Sequence, residues 1–156
     1  MQKKTYTVEE AKRALEKYCV YQDRCHKEIE KKLYDFGMID AAKEVIILHL
    51  MEHDFLNEER FCKSFARGKF NHKKWGKNRI VRELKLRDIS DYNIKTALKE
   101  ISEEDYQHTL HELATKRKES VNESNTYKLK KKIADYLLYR GWESNLVYDK
   151  INEIVK

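Results

Sequence analysis

The chain repeats itself. Shifting it by 51 and then by 53 residues brings Glu28-Ile29-Glu30-Lys31-Lys32-Leu33, Arg79-Ile80-Val81-Arg82-Glu83-Leu84 and Lys132-Ile133-Ala134-Asp135-Tyr136-Leu137 into register. Five apolar columns align: Ile29, Ile80, Ile133; Leu33, Leu84, Leu137; Met38, Ile89, Trp142; Ile47, Leu98, Ile151; and Leu50, Ile101, Ile154. A period near fifty residues restricts the chain to a tandem array of one supersecondary unit. The first two columns stand four residues apart and the last two three apart, spacings that put side chains on one helical face.

Each unit therefore reads as helix, turn, helix. The turns fall at Phe36-Gly37-Met38, Arg87-Asp88-Ile89 and Arg140-Gly141-Trp142. Glycine serves the left-handed position after a helix end in two of them. Asp88 stands there in the other, and aspartate tolerates that conformation less well. Asp40, Asp91 and Ser144 are the expected N-caps of the following helices. A further helix precedes each pair: Thr7-Val8-Glu9-Glu10 is a capping box before the stripe Ala11, Leu15, Tyr18, Cys19. Asn57 caps a helix with Phe61 and Phe65, and Ser102 opens one with Tyr106, Leu110, Leu113 and Ala114. The fold class is all-α: three tandem three-helix repeats, 7–56, 57–101 and 102–156, forming an elongated, curved array, with polar links at Phe70 to Lys74 and Glu119 to Thr126. No proline and only four glycines argue the same way, because turn-rich β folds use more of both.

The longest apolar runs are four residues (Tyr18 to Tyr21, Val45 to Leu48, Tyr136 to Tyr139), far short of the roughly 20 that cross a membrane. Met1 to Tyr6 lacks the apolar core of a secretory signal, so a cytoplasmic location with no membrane contact is expected. Cys19, Cys25 and Cys62 are odd in number and in no Cys-x-x-Cys spacing, as expected of reduced thiols on helices.

The net charge of +6 is modest, but it is unevenly placed. Arg60 to Arg87 carries eleven basic side chains against one carboxylate, Glu83, for a local net of +10, and Ala114 to Arg140 carries +5. The segments 1–59 and 88–113 are net acidic, at −3 and −5. Such asymmetry indicates a polyanionic partner. The candidate binding residues are Arg60, Lys63, Arg67, Lys69, Lys73, Lys74, Lys77, Arg79, Arg82, Lys85 and Arg87. Arg60, Lys63 and Arg67 form a stripe opposite Phe61 and Phe65. Lys74, Asn78, Arg82 and Lys85 fall on the side away from Ile80 and Leu84, while Lys69, His72 and Lys73 lie in the link. Carboxylates at i±4 are nearly absent, so the repulsion within the strip is not relieved locally.

Trp75 lies inside the basic block as either a base-stacking platform or a packing residue between units. Trp142 shares a column with Met38 and Ile89 and reads as core, as do Phe61 and Phe65. Tyr136, Tyr139 and Tyr148 fit either role. His49-x-x-x-His53 and His108-x-x-His111 have metal-compatible spacing, but no third ligand is evident and Cys25, His26 and Cys62 complete no set. No phosphate-cradling glycine loop or nucleophile elbow is present. A non-enzymatic protein without metal or cofactor is expected.

The stretch Phe55-Leu56-Asn57-Glu58-Glu59-Arg60-Phe61, followed by Trp75-Gly76-Lys77-Asn78-Arg79-Ile80-Val81-Arg82-Glu83-Leu84 and Ile89-Ser90, resembles the RecX family, bacterial regulators of the RecA recombinase. Gly76, Arg79, Ile80, Glu83 and Leu84 match the family's pattern. In the first repeat Ala14-Leu15, Glu28-Ile29, Lys32-Leu33 and Gly37 look like it. The chain departs at Asp88, where the family usually has glycine, and in a Tyr-rich third unit. The resemblance implies a helical protein, acting as a monomer, that lodges in the groove of the RecA filament on single-stranded DNA. It would curb ATP hydrolysis, strand exchange and co-protease activity, and so the regulation of DNA repair and the SOS response. Its basic contact surface carries over to Arg60, Arg79 and Arg82, and contact with single-stranded DNA would be weak or indirect. The competing expectations are an autonomous DNA-binding protein of helix-turn-helix type and a metal-dependent enzyme using the histidine pairs.

Overall fold

The computed structural model describes residues 5–156, and these form nine α-helices and no strand. In chain order they are α1 (Val8–Tyr21), α2 (His26–Asp35), α3 (Asp40–Glu52), α4 (Glu58–Lys73), α5 (Lys77–Leu86), α6 (Asp91–Leu98), α7 (Glu103–Ser120), α8 (Thr126–Tyr139) and α9 (Ser144–Ile154). Each helix packs most closely onto the others of its own consecutive triple. None is long and apolar enough to cross a membrane among the described residues, and the opening residues 1–4 of the segment read for a signal lie outside them.

The repeat columns have a structural cause. Ile29, Ile80 and Ile133, with Leu33, Leu84 and Leu137, have no exposed surface and form the inner face of α2, α5 and α8. Each of these helices ends in the same turn. The Met38 N–H donates to Leu33 O and the Gly37 N–H to Tyr34 O; Ile89 to Leu84 and Asp88 to Lys85, and Trp142 to Leu137 and Gly141 to Leu138, repeat the pattern. This is the Schellman arrangement, in which the residue after the left-handed one packs back on the helix it closes. The left-handed residues are Gly37 (φ +71°), Asp88 (φ +58°) and Gly141 (φ +92°).

The Thr7 and Glu10 capping box, the Asn57 cap on the Arg60 N–H and the Ser102 cap on the Asp105 N–H form as expected. The caps of the third helices lie one residue earlier than expected, at Ile39, Ser90 and Glu143, and of these only Ser90 caps with its side chain. The link expected at Phe70 to Lys74 is instead the last turn of α4. Phe70 is buried there, and the helix stops only at Lys74, in the left-handed conformation. Cys25 is also not helical: it precedes α2, with its N–H and Sγ both facing Glu28 Oε1 at 3.3 Å.

The core is divided unevenly. Ala11, Leu15, Cys19, Ile29, Leu33, Ile46, Leu50 and Leu56 make one cluster, while α4 to α9 share a second continuous cluster that also takes in Cys25. Accessible surface totals 10202 Å², against about 8,300 Å² for a compact monomer of this mass, so the molecule is elongated.

Candidate functional site

The central triple is fixed to each neighbour by different means. Toward α7–α9 the joint is backbone against backbone: the Gly76 N–H donates to Arg140 O at 2.8 Å and the Asn78 N–H to Gly141 O at 2.9 Å. Side chains are excluded there, because a Cβ on Gly76 would lie 2.5 Å from Gly141 C and one on Gly141 2.3 Å from Arg79 Cβ. Beside it Tyr106 stacks on Trp142 at 4.4 Å, and Phe70 completes the group. The Trp142 Nε1–H donates to Lys74 O, the Lys77 N–H to Tyr106 Oη, and the Tyr106 hydroxyl to Glu143. Burial first, and then the Glu143 carboxylate, hold the Tyr106 phenol well above its ordinary range. Trp142 is thus core, as its column indicates.

Toward α1–α3 the joint is polar. Arg60 Nε donates to Asp23 Oδ1 at 2.7 Å, Nη1 to Asp54 Oδ2 at 2.9 Å, and Nη2 to the carbonyls of Asp54 and Phe55. Glu58 accepts the His26 N–H, and Lys27 Nζ reaches Leu86 O.

The expected basic strip therefore does not act as one uncompensated surface. Arg60 is an internal tie. Lys63 pairs with Glu59 and Arg87 with Glu83, both at i,i+4, so the expectation that such partners are nearly absent fails for these two. Arg67 pairs with Glu100, and Lys77 stands 4.0 Å from Glu103. Among the described residues Lys69, Lys73, Lys74, Arg79, Arg82 and Lys85 have no carboxylate within ion-pair distance. Of these Lys73, Lys74, Arg82 and Lys85 are exposed, as is Asn78. Lys63 and Arg67 line a recess with Asn57, Glu59 and Arg60. Lys69, His72 and Lys73 are helical and line a separate groove of ≈ 380 Å³ between α4 and the end of α1. Phe65, expected in the core, is only half-buried and forms part of that groove's wall. The second basic block is largely satisfied internally: Lys131 pairs with Asp135, Lys132 with Glu123, and Lys118 donates to Ile154 O.

Of the two histidine pairs, the His49 and His53 rings do lie together, with centroids 4.4 Å apart, but no third ligand joins them among the described residues. His49 pairs with Glu16 and His108 with Glu112, and no cluster of three or more His, Cys, Asp or Glu placed to hold a metal occurs among the described residues. The thiols are free and buried, which pushes Cys19 and Cys25 up to about 11 and Cys62 up to about 12; they are protonated and inert. Sequence reasoning missed the Gly76–Gly141 approach and the role of Tyr106. That two of the chain's only four glycines stand at these positions was the available signal.

Nine helices among the described residues, in triples with a repeated turn geometry and a cationic middle, define a tandem three-helix-repeat protein. The pattern described as "RecX, second three-helix domain" matches residues 57–98, and "RecX, third three-helix domain" matches residues 103–151. The chain belongs to the RecX family. It is 28% identical over 135 residues to "Regulatory protein RecX" of Clostridium perfringens (strain SM101 / Type A), covering 85% of this chain and 61% of that protein. With the protein of the same name from Clostridioides difficile (strain 630) it shares 25% over 139 residues, 86% of this chain and 63% of the relative. The chain thus spans less than two thirds of these relatives. The fold is similar to the crystal structure of RecX from Lactobacillus salivarius, with a TM-score of 0.83 at 24% identity over 94% of this chain and 96% of that one.

Proposed function

We propose that this chain is a non-enzymatic, cytoplasmic regulator that seats in the groove of a RecA filament on single-stranded DNA and inhibits ATP hydrolysis, strand exchange and co-protease activity. The family supports a regulatory role. The observation that carries the reading further is the set of six central cations that, among the described residues, have no carboxylate partner, on the unit that lies between the two others in the chain. A long body with a cationic middle suits a groove edged by acidic side chains and phosphates, and each phosphate neutralised on a single strand adds roughly 0.7 to the salt dependence of binding. Duplex reading by a helix-turn-helix is less well supported: α6 presents Asp91, Tyr92 and Lys95 at its surface, mixed in charge and not cationic.

The test is single-stranded-DNA-dependent ATP hydrolysis by the recombinase as this protein is added. Inhibition is expected at substoichiometric to equimolar amounts, and reversing Lys73, Arg82 and Lys85 to Glu weakens it at unchanged helicity. Undiminished hydrolysis at equimolar protein would refute the reading. Arg60 does not belong in that variant, because its loss would disturb the joint with α1–α3.

A further inference from the structure

Two faces of the molecule are left without partners, and they are opposite in charge. The outer face of α3 carries Ala41, Glu44, Val45, Leu48, Met51 and Glu52, all exposed. Val45 and Leu48 are each 56% exposed and Met51 48%, and among the described residues no other helix turns three large apolar side chains to solvent on one face. Every charged group in that stripe is a carboxylate. Asp40 beside it pairs with Lys43, whereas Glu44 and Glu52 have no cation within ion-pair distance among the described residues.

The second face is the ≈ 380 Å³ groove between α4 and the end of α1, lined by Phe61, Ser64, Phe65 and Gly68, with Lys69 and Lys73 beside them. Asp23, its one carboxylate, is held by Arg60, so Lys69 and Lys73 set the charge that the groove offers. The groove between α8 and α9 also holds lysines, but Lys130 is taken by Asn152 and Lys131 by Asp135. Gly68 is out of place by helix propensity alone. It lies inside a 16-residue helix, where only proline is less favourable, and nothing stands within 4 Å of its would-be Cβ. Packing within the chain gives no reason for it, whereas close approach of another backbone does.

We propose that this groove receives α3 of a second copy of the chain, so that copies join head to tail. The lengths agree: at about 1.5 Å per residue, Ala41 to Glu52 covers roughly 16 Å of helix and Phe61 to Lys73 roughly 18 Å. Whichever way α3 runs along α4, one of its two free carboxylates falls beside Lys69 and Lys73. Val45 and Leu48 then cover Phe61 and Phe65, and Gly68 lets the helix axes come close. Pairing of α3 with its own copy about Leu48 would instead set Glu44 against Glu52, and facing like charges are unfavourable. Because donor and acceptor are different faces, the contact is heterologous, and each added copy presents a further groove and a further α3. This departs from the monomer that the family resemblance implies. It is also separate from the proposed inhibition, since it needs neither recombinase nor DNA.

Sedimentation velocity of the full chain alone, at micromolar concentration and low salt, is the test. The mean mass should rise above the 18.9 kDa of one chain with concentration, and fall back as salt screens the charges. Leu48→Lys removes the inserted side chain and sets a cation against Lys69, while Glu44 and Glu52, four residues to either side, keep it compatible with the helix. Gly68→Gln fills the groove from a position with open space around it. Each variant alone should sediment as a monomer. Gly68→Gln should keep or raise the thermal midpoint, because α4 loses an interior glycine, so its monomer is a folded one. Leu48→Lys retains the groove and Gly68→Gln retains α3, so mixing the two should give a species of twice the monomer mass and nothing larger. A wild type that stays monomeric throughout would overturn the proposal. Association that survives Gly68→Gln but not Leu48→Lys would overturn it in favour of a symmetric α3 pair, and a mixture that stays monomeric would overturn the pairing of these two faces. None of these failures touches inhibition of ATP hydrolysis, which is read on the recombinase separately.

Discussion

Gly141 shows how one missing side chain can fix the relation of two units. Its φ of +92° suits glycine, and a Cβ there would lie 2.4 Å from the Arg79 nitrogen. Arg79 N belongs to a helix and cannot retreat without opening the Asn78 to Gly141 and Gly76 to Arg140 hydrogen bonds. Gly141→Ala should therefore cost about 3 kcal/mol or more and lower the thermal midpoint by several degrees. Gly37 is the internal comparison: φ is +71° with nothing within 4 Å of its would-be Cβ, so Gly37→Ala should cost only the backbone term of about 1 kcal/mol. Thermal denaturation of both variants checks this, and equal losses would deny the close approach. Only half of this was legible in the sequence. The left-handed turn shows locally as glycine after an apolar run, but contact between positions more than sixty residues apart leaves no periodic trace. Arg60 failed for the same reason, since Asp23 is its partner only once α1 and α4 are brought together.

At the scale of elements, the second helix of each triple was the most legible because two signals coincide: a four-residue apolar spacing and a turn that folds the next apolar residue back on the helix end. The third helices were less so. Their starts follow from turn geometry and not from side-chain caps: after the Schellman turn at Met38, Ile89 or Trp142, one extended residue follows and the helix begins. Asp40, Asp91 and Ser144 are thus first helical residues. In α3 apolar side chains surround the helix, with Val45, Leu48 and Met51 exposed, so periodicity could not show that Ile46 is more deeply buried than Ile47. The polar run after Phe70 looked like a link because its lysines and histidine are the wet side of the last turn of α4. The second turn carries a prediction of its own. Asp88 holds φ +58°, a conformation that costs a non-glycine residue roughly 1 kcal/mol. Its ion pair with Lys27, at 3.5 Å with both partners well exposed, returns little. Asp88→Gly should raise stability by about 0.5–1 kcal/mol in chemical denaturation. A fall in stability would mean that Lys27 and Asp88 contribute to holding the first and second triples together.

For the whole molecule, the two joints have different strengths because they are made of different things. The joint between α4–α6 and α7–α9 combines a shared apolar cluster, the stacked Tyr106 and Trp142 with Phe70 tilted against them, and paired backbone hydrogen bonds. That between α1–α3 and α4–α6 depends on Arg60, Glu58 and Lys27, with Cys25 the one buried residue of the first triple that joins the larger core. We therefore propose that the boundary near residue 57 is a real division in stability, and that the one near residue 102 is not. Cooperative units follow shared burial. Amides of α5 and α8, around the fully buried Ile80, Leu84, Ile133 and Leu137, should exchange with deuterium together and most slowly. Those of α1–α3 should open earlier as a group. Arg60→Ala removes four hydrogen bonds from the weaker joint, so it should speed exchange in α1–α3 and leave α5 and α8 at their wild-type rates. Hydrogen exchange read by mass spectrometry separates the outcomes: uniform acceleration across all nine helices would show that the chain unfolds as one unit and that its cationic centre has no rigid frame separate from the first triple.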